Sequence, residues 1–317
     1  MKFGLALPHY DFSLPGKTPL TFEAIRDIAS RAEDLGFESV WVSDHLRFDL
    51  AKYGFDSTMR ECFEWSTLLG ALSSEVRAAR LGVLVVCLPI RPPLVVARSA
   101  ITLHNLTDSR FELGLGAGWY QPDFELAGVP FGTPSSRIGR LIDGAREIVA
   151  LMELSTGNNA PESELGPRRP AVTIGGKGGP KLLDAVAQIA EKWNISWAVT
   201  PERLRELLAR LRDACDAADR DPSSVEITVG LTSLVAASEH ELNRHYERFA
   251  DAAPVKPLSL GELRRERLVG TRAEVVEKIG QFEALGVEEI ICSFGPVPFS
   301  VASEDEVEAF ADLVIRS

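Results

Sequence analysis

Short apolar runs alternate along the chain with longer segments in which apolar side chains return every three or four positions. The short runs predict strands at Phe3–Pro8, Ser39–Ser43, Leu81–Leu88, Phe111–Leu115, Ala171–Ile174, Ile195–Ala198, Val225–Val235 and Glu289–Phe294. The longer period predicts helices at Phe22–Leu35, Trp65–Leu72, Leu94–Leu106, Ile138–Leu154, Leu182–Ala190, Pro201 to Ala218, Glu239–Ala252 and Val275–Leu285, with one more ending the chain. In the first helix Phe22, Ile25, Ile28, Ala29, Ala32 and Leu35 share a face, and Gly36 follows as a C-cap. Leu81–Leu88 is apolar throughout, as strands covered on both sides are.

Strand–helix alternation repeated about eight times predicts an α/β fold, a (β/α)8 TIM barrel over residues 1–317 as a single domain with insertions in the βα loops. A doubly wound parallel sheet is the alternative. Glu33–Val40 and Glu283–Ile290 are alike, each a helix end, a capping glycine and the start of a strand. That echo fits a closed barrel whose last strand lies beside its first. Long connections fall at Leu46–Glu61, Tyr120–Pro134 and Ser155–Arg169, and the first two directly follow strands, where barrel active sites lie. Pro254–Gly270 reads as a lid or a helical insertion.

Composition narrows the function classes. Apolar residues make up 45% and charged residues 25% of 317, which excludes a disordered chain. Lys plus Arg is 34 and Asp plus Glu is 46, a net charge of −12 that disfavours nucleic acid as a partner. Cys62, Cys87, Cys215 and Cys292 form no CxxC pair, so neither a zinc site nor a disulfide framework is expected, and reduced thiols fit a cytoplasmic protein. The N-terminus lacks the apolar core of a signal peptide, and no window approaches the ~20 apolar residues of a membrane span. HxH and HExxH are absent, which argues against a metal-dependent hydrolase, and no metal ligands are assigned. His240 and His245 are five apart and read as solvated helix residues.

Four strand ends carry candidate chemistry. Asp44 and His45 close the second strand, where polar side chains face a barrel's mouth and an Asp beside a His can orient it or hold a proton. His9 ends the first strand and could line the same mouth. Glycines at 114, 116 and 118 strip side chains from the end of the fourth strand, where a flat ligand could approach the backbone; Trp119 in place of a third fingerprint glycine excludes GxGxxG. Gly175, Gly176, Lys177, Gly178 and Gly179 join a strand to a helix N-terminus, freeing N–H groups beside a positive charge, as a phosphate cradle requires. Phe48, Tyr53, Phe55, Phe63 and Phe131 suggest an apolar pocket, and loops 46–61, 120–134 and 254–270 would contact a substrate.

The stretches ESVWVSDH at 38–45, RLGVLVVCLPIRPPLVVARSAITLHNLTDSRFELGLGAGW at 80–119, AVTIGGKGG at 171–179 and LVGTRAEVVEKIGQFEALGVEEIICSF at 268–294 resemble the bacterial-luciferase-like monooxygenase superfamily, in particular its deazaflavin-dependent oxidoreductase branch. The resemblance implies a barrel with a flavin-like ring in its mouth. Asp44 and His45 would sit beside the ring, with His45 the acid or base paired with hydride movement. Cys87–Leu88 would carry a non-proline cis peptide against the ring's back. Gly116, Ala117 and Gly118 would contact the cofactor, the two glycines letting the ring pack close, and Trp119 would stand on the substrate side. Gly175, Gly176, Lys177, Gly178 and Gly179 would bind the phosphate. The implied activity is hydride transfer with coenzyme F420 to or from a small organic substrate, by a homodimer. The alternatives are an FMN-dependent monooxygenase supplied by a separate reductase and a flavin-binding protein without turnover. Two departures stand out. Glu191-Lys192-Trp193-Asn194 replaces the family's frequent DGWN, and Trp119 occupies the place of the glutamate proton donor found in sugar-phosphate dehydrogenases of this branch.

Overall fold

A computed structural model describes residues 1–17, 19–49, 59–156, 169–253 and 257–316. Eight parallel strands form the core: β1 (Lys2–Ala6), β2 (Ser39–Val42), β3 (Arg80–Cys87), β4 (Phe111–Gly116), β5 (Val172–Gly175), β6 (Lys192–Trp197), β7 (Glu226–Ala236) and β8 (Val287–Ser293). Each pairs with the next, and β8 returns to β1 with Lys2 opposite Glu289, closing the sheet. With helices between successive strands, the architecture is a TIM barrel. All eight strands run the same way, so their carboxyl ends share one rim.

The alternation of side chains along each strand explains both faces. Outward positions such as Leu5, Val40, Leu81, Leu113, Ile174 and Ile195 are buried in one continuous apolar core under the helices. Inward positions are mostly polar, charged or glycine toward the amino-terminal end of the barrel and apolar toward its mouth. On β6 the inward set is Lys192, Asn194 and Ser196, which is why apolar reading placed that strand at Ile195–Ala198 instead of Lys192–Trp197. The first helix is Phe22–Leu35 as predicted, with Thr21 accepting the Ala24 N–H and Gly36 at φ 95° closing its end.

The inward side chains form layers. At the amino-terminal floor Arg80 pairs with Glu112 and with Glu289 (2.9 Å), while Lys192 reaches Glu112 at 3.2 Å and Glu226 at 3.0 Å. Above them lies the Trp41 ring, whose indole N–H donates to Ser39 Oγ at 2.7 Å. Gly82 makes room for that ring, since a Cβ there would fall 2.3 Å from it. The carboxyl-end layer is aromatic and aliphatic: Tyr10, Phe48, Leu84, Tyr120 and Phe299, with Val85 and Trp197 partly exposed at its edge.

Several elements lie in segments read as loops. Arg47–Asp49 and Met59–Glu61 form an antiparallel hairpin, and Gln121–Leu126 is a short helix. The Pro254–Gly270 segment holds the helix Leu260–Glu266 and the start of a strand, Leu268–Thr271, that extends the sheet beside the far end of β7. Residues 157–168 of the Ser155–Arg169 connection lie outside the described residues. His245 is not solvated: it is buried, with Nδ1 2.7 Å from Glu306, because the carboxyl-terminal helix Glu304–Phe310 covers that face. His240 is exposed, as expected. Among the described residues no helix is long and apolar enough to cross a membrane, and no group of three or more His, Cys, Asp and Glu could hold a metal ion.

Candidate active site

The strand ends singled out in the sequence lie on one rim, because all the barrel strands are parallel. Their side chains take up different tasks there. Asp44 does not orient His45. Its Oδ2 accepts the Cys87 N–H at 3.0 Å and the Arg91 Nε–H at 3.3 Å, and its Oδ1 takes Arg91 Nη2. Burial pushes the Asp44 carboxyl above its ordinary range, and the guanidinium opposes that rise. Asp44 thus ties the end of β2 to the end of β3.

His45 is held instead by Asp123. The Asp123 Oδ2 lies 2.7 Å from His45 Nδ1, and its Oδ1 accepts the Leu46 N–H at 3.0 Å. Asp123 is 2% exposed, so its charge is spent on these two donors rather than on water. It stands in the first turn of Gln121–Leu126, behind Pro122. Phe48, Trp119 and Tyr120 set their rings edge-on to the imidazole at centroid distances of 5.0, 5.6 and 5.6 Å. Trp119 is 46% exposed and forms the outer wall beside His45. Nε2 has no hydrogen-bond partner among the described residues.

His9 does not line the mouth. It is fully buried, its Nε2–H donates to Phe63 O at 2.6 Å, and Nδ1 accepts the Ser43 N–H at 3.0 Å with Ser43 Oγ 2.8 Å away. Burial brings its pKa down to about 4, so the ring is neutral and serves as a joint between the ends of β1 and β2.

The non-proline cis peptide lies at Leu84–Val85, not Cys87–Leu88, and a second joins Ser196 to Trp197. Cys87 is buried, with its thiol pushed up to about 12 by burial, and Leu88 turns outward onto Gly144 of the helix Pro134–Thr156. Val85 is the side chain presented at the mouth. A Cβ on Gly116 would fall 2.3 Å from Val85, and one on Gly175 would fall 2.5 Å from it. Gly116 and Gly175 therefore seat Val85. Ala117 packs at the margin of the main core. Gly118 adopts φ 73°, and a Cβ there would lie 2.5 Å from Cys87 Sγ and 2.7 Å from the Phe124 ring. Gly118→Ala is expected to cost about 2–4 kcal/mol, the sum of left-handed strain and overpacking. Urea unfolding checks this, and a loss below about 1 kcal/mol would show that Phe124 yields.

The glycine-rich turn keeps its predicted form. Gly176 and Gly178 take positive φ, of 154° and 74°, and Gly179 caps the helix Pro180–Ile189. Among the described residues no acceptor takes the N–H of Lys177, Gly178 or Gly179, and nothing lies within 4 Å of where a Gly179 Cβ would be. Lys177 is exposed beside them. Open backbone donors beside a lysine at a helix N-terminus have the chemistry to accept an anion, and with Val85 and the aromatic layer they are compatible with a phosphorylated planar group.

Two features escaped sequence reasoning. Asp123 is 78 residues from His45 in a six-residue helix too short to show a period; the only signal was an acidic residue behind a proline at a helix start. Val85 sits within an unbroken apolar run that gives no hint of which residue turns inward.

Comparison with known proteins places the chain. The luciferase-like monooxygenase family model matches residues 1–267, and the chain belongs to that family, whose members include flavin- and deazaflavin-linked oxidoreductases. Within it, the chain is 29% identical over 247 residues to the phthiodiolone/phenolphthiodiolone dimycocerosates ketoreductase of Mycobacterium tuberculosis, covering 70% of this chain and 63% of that one. It superposes on an F420-dependent secondary alcohol dehydrogenase with TM-score 0.75 at 16% identity, over 99% and 98% of the two chains. The EDTA monooxygenase of Chelativorans sp. BNC1 superposes with TM-score 0.74 at 13% identity, over 99% and 92%.

Proposed function

We propose that the protein is a coenzyme F420-dependent oxidoreductase that interconverts a small, apolar secondary alcohol and its ketone. The observation that carries this reading is the pairing of His45 with buried Asp123 inside an aromatic mouth on the same rim as the anion cradle. The names of two similar proteins, a ketoreductase and a secondary alcohol dehydrogenase, support the alcohol–carbonyl chemistry.

In this reading the N–H groups of residues 177–179 and Lys177 hold the cofactor's phosphate, and Val85 backs its ring. When bound, the deazaflavin supplies a carbon that carries hydride. The chain's own residues manage the proton and the surroundings. With Nδ1–H on Asp123, His45 Nε2 takes the hydroxyl proton of an alcohol, or returns it to the oxygen of a ketone. Phe48, Trp119 and Tyr120 keep that nitrogen in an apolar setting suited to an uncharged substrate. Asp44, with Arg91, fixes the rim on which His45 stands.

Titration of the purified protein with coenzyme F420 and with FMN, followed by fluorescence with and without oxygen, tests the reading. Saturable F420 binding and anaerobic F420 reduction by 2-propanol or a longer secondary alcohol are expected. Binding of FMN alone, with oxygen uptake that needs an added flavin reductase, would replace it with the monooxygenase reading, to which the EDTA monooxygenase is a named parallel.

A further inference from the structure

We infer that Asp123 is a positioning residue that fixes the tautomer of His45, making Nε2 the nitrogen with the open lone pair. The inference rests on the reading of His45 as the proton-handling group, but its structural half stands alone. A carboxylate only accepts hydrogen bonds, so the 2.7 Å contact to Asp123 Oδ2 requires the proton on Nδ1. Neutral imidazole carries one N–H, so Nε2 is left as the acceptor. The second Asp123 oxygen is not idle: the Leu46 N–H, an obligatory donor, claims Oδ1 at 3.0 Å. Asp123 therefore spans His45 and the backbone of the next residue, and the carboxylate cannot rotate without losing one donor. The three edge-on rings restrict the remaining freedom of the imidazole.

Asp123→Asn separates shape from tautomer. Asn is nearly the same size but has one acceptor and one donor end. Leu46 N–H requires the acceptor, so the amide NH2 turns to His45 Nδ1. That nitrogen must then accept, and the proton moves to Nε2. The ring stays in place while the wrong nitrogen faces the substrate.

The test is 15N NMR of the full-length protein labelled at histidine, with the His45 signals assigned by comparison with His45→Gln. The wild type is expected to show the Nδ1–H form and D123N the Nε2–H form. A wild type already in the Nε2–H form, or a D123N that keeps Nδ1–H, overturns the inference; the wild-type spectrum decides even where D123N fails to fold. In turnover with F420 and a secondary alcohol, D123N is expected to lose about 10²-fold in kcat with KM nearly unchanged. A changed tautomer with unchanged kcat would leave the positioning role standing and remove His45 from the reaction. A fall in kcat without a change of tautomer would do the reverse.

Discussion

Replacing His45 by alanine is expected to lower kcat by roughly 10³-fold, within the ~10²–10⁴ that a positioned acid–base group supplies, with F420 affinity held within about tenfold. The split follows from the layout. The groups proposed to hold the phosphate are backbone donors at 177–179, on a turn that His45 does not touch. The proton, in contrast, has one route: Nε2 of an imidazole whose other nitrogen is occupied by Asp123. Alanine also leaves the buried Asp123 with Leu46 as its remaining donor, which costs stability, so His45→Gln belongs beside it. The amide can donate to Asp123 but cannot shuttle a proton. Both variants should therefore show the same collapse in kcat, with Gln unfolding closer to the wild type. Steady-state kinetics with a secondary alcohol, together with F420 fluorescence titration, measure the two quantities separately. An unchanged kcat in either variant takes His45 out of the mechanism.

How far the sequence led depended on which face of the barrel a residue serves. Outward positions such as Val40, Leu81 and Ile174 pack under helices and are apolar, so their period was readable and the strand order followed. Inward positions obey no such rule. Lys192, Asn194 and Ser196 hid half of β6, and nothing in the apolar pattern marked Glu112 and Glu289 as buried, though both are. At the rim, Asp44 and His45 were visible because two polar residues end an apolar strand. Their partners were not, since Arg91 and Asp123 reach them through space from a neighbouring strand end and a short helix. The glycines were found for an incomplete reason. Gly116 and Gly175 admit Val85, and among the glycines singled out at 114–118 and 175–179 only Gly179 keeps open space where a side chain would stand.

The barrel floor should respond as strongly as the rim. Arg80→Ala is expected to cost about 3–5 kcal/mol, the usual result of stripping one partner from a buried ion pair. Glu289 is fully buried, and Arg80 at 2.9 Å and the Ser39 hydroxyl at 2.5 Å are what hold its Oε1. Glu112 fares better, because Lys192 stays within 3.2 Å of it. The loss should depend on pH, and the sign can be worked out. Burial already raises the Glu289 pKa above its ordinary 4.5, with Arg80 pulling it back. Removing Arg80 raises it further. A carboxyl raised in the folded state contributes its stability below the unfolded pKa and loses it as pH climbs through the folded one. The deficit of R80A should therefore be smallest near pH 5 and grow toward pH 8. Adding Glu289→Gln removes the stranded charge while keeping a group that Ser39 can reach, so R80A/E289Q should regain most of the loss and lose most of the pH dependence. Urea midpoints for wild type, R80A and R80A/E289Q across that range decide the matter. A deficit that stays flat with pH would mean that Glu289 remains ionised without its guanidinium, and that water or Lys192 reaches a site this structure shows as closed.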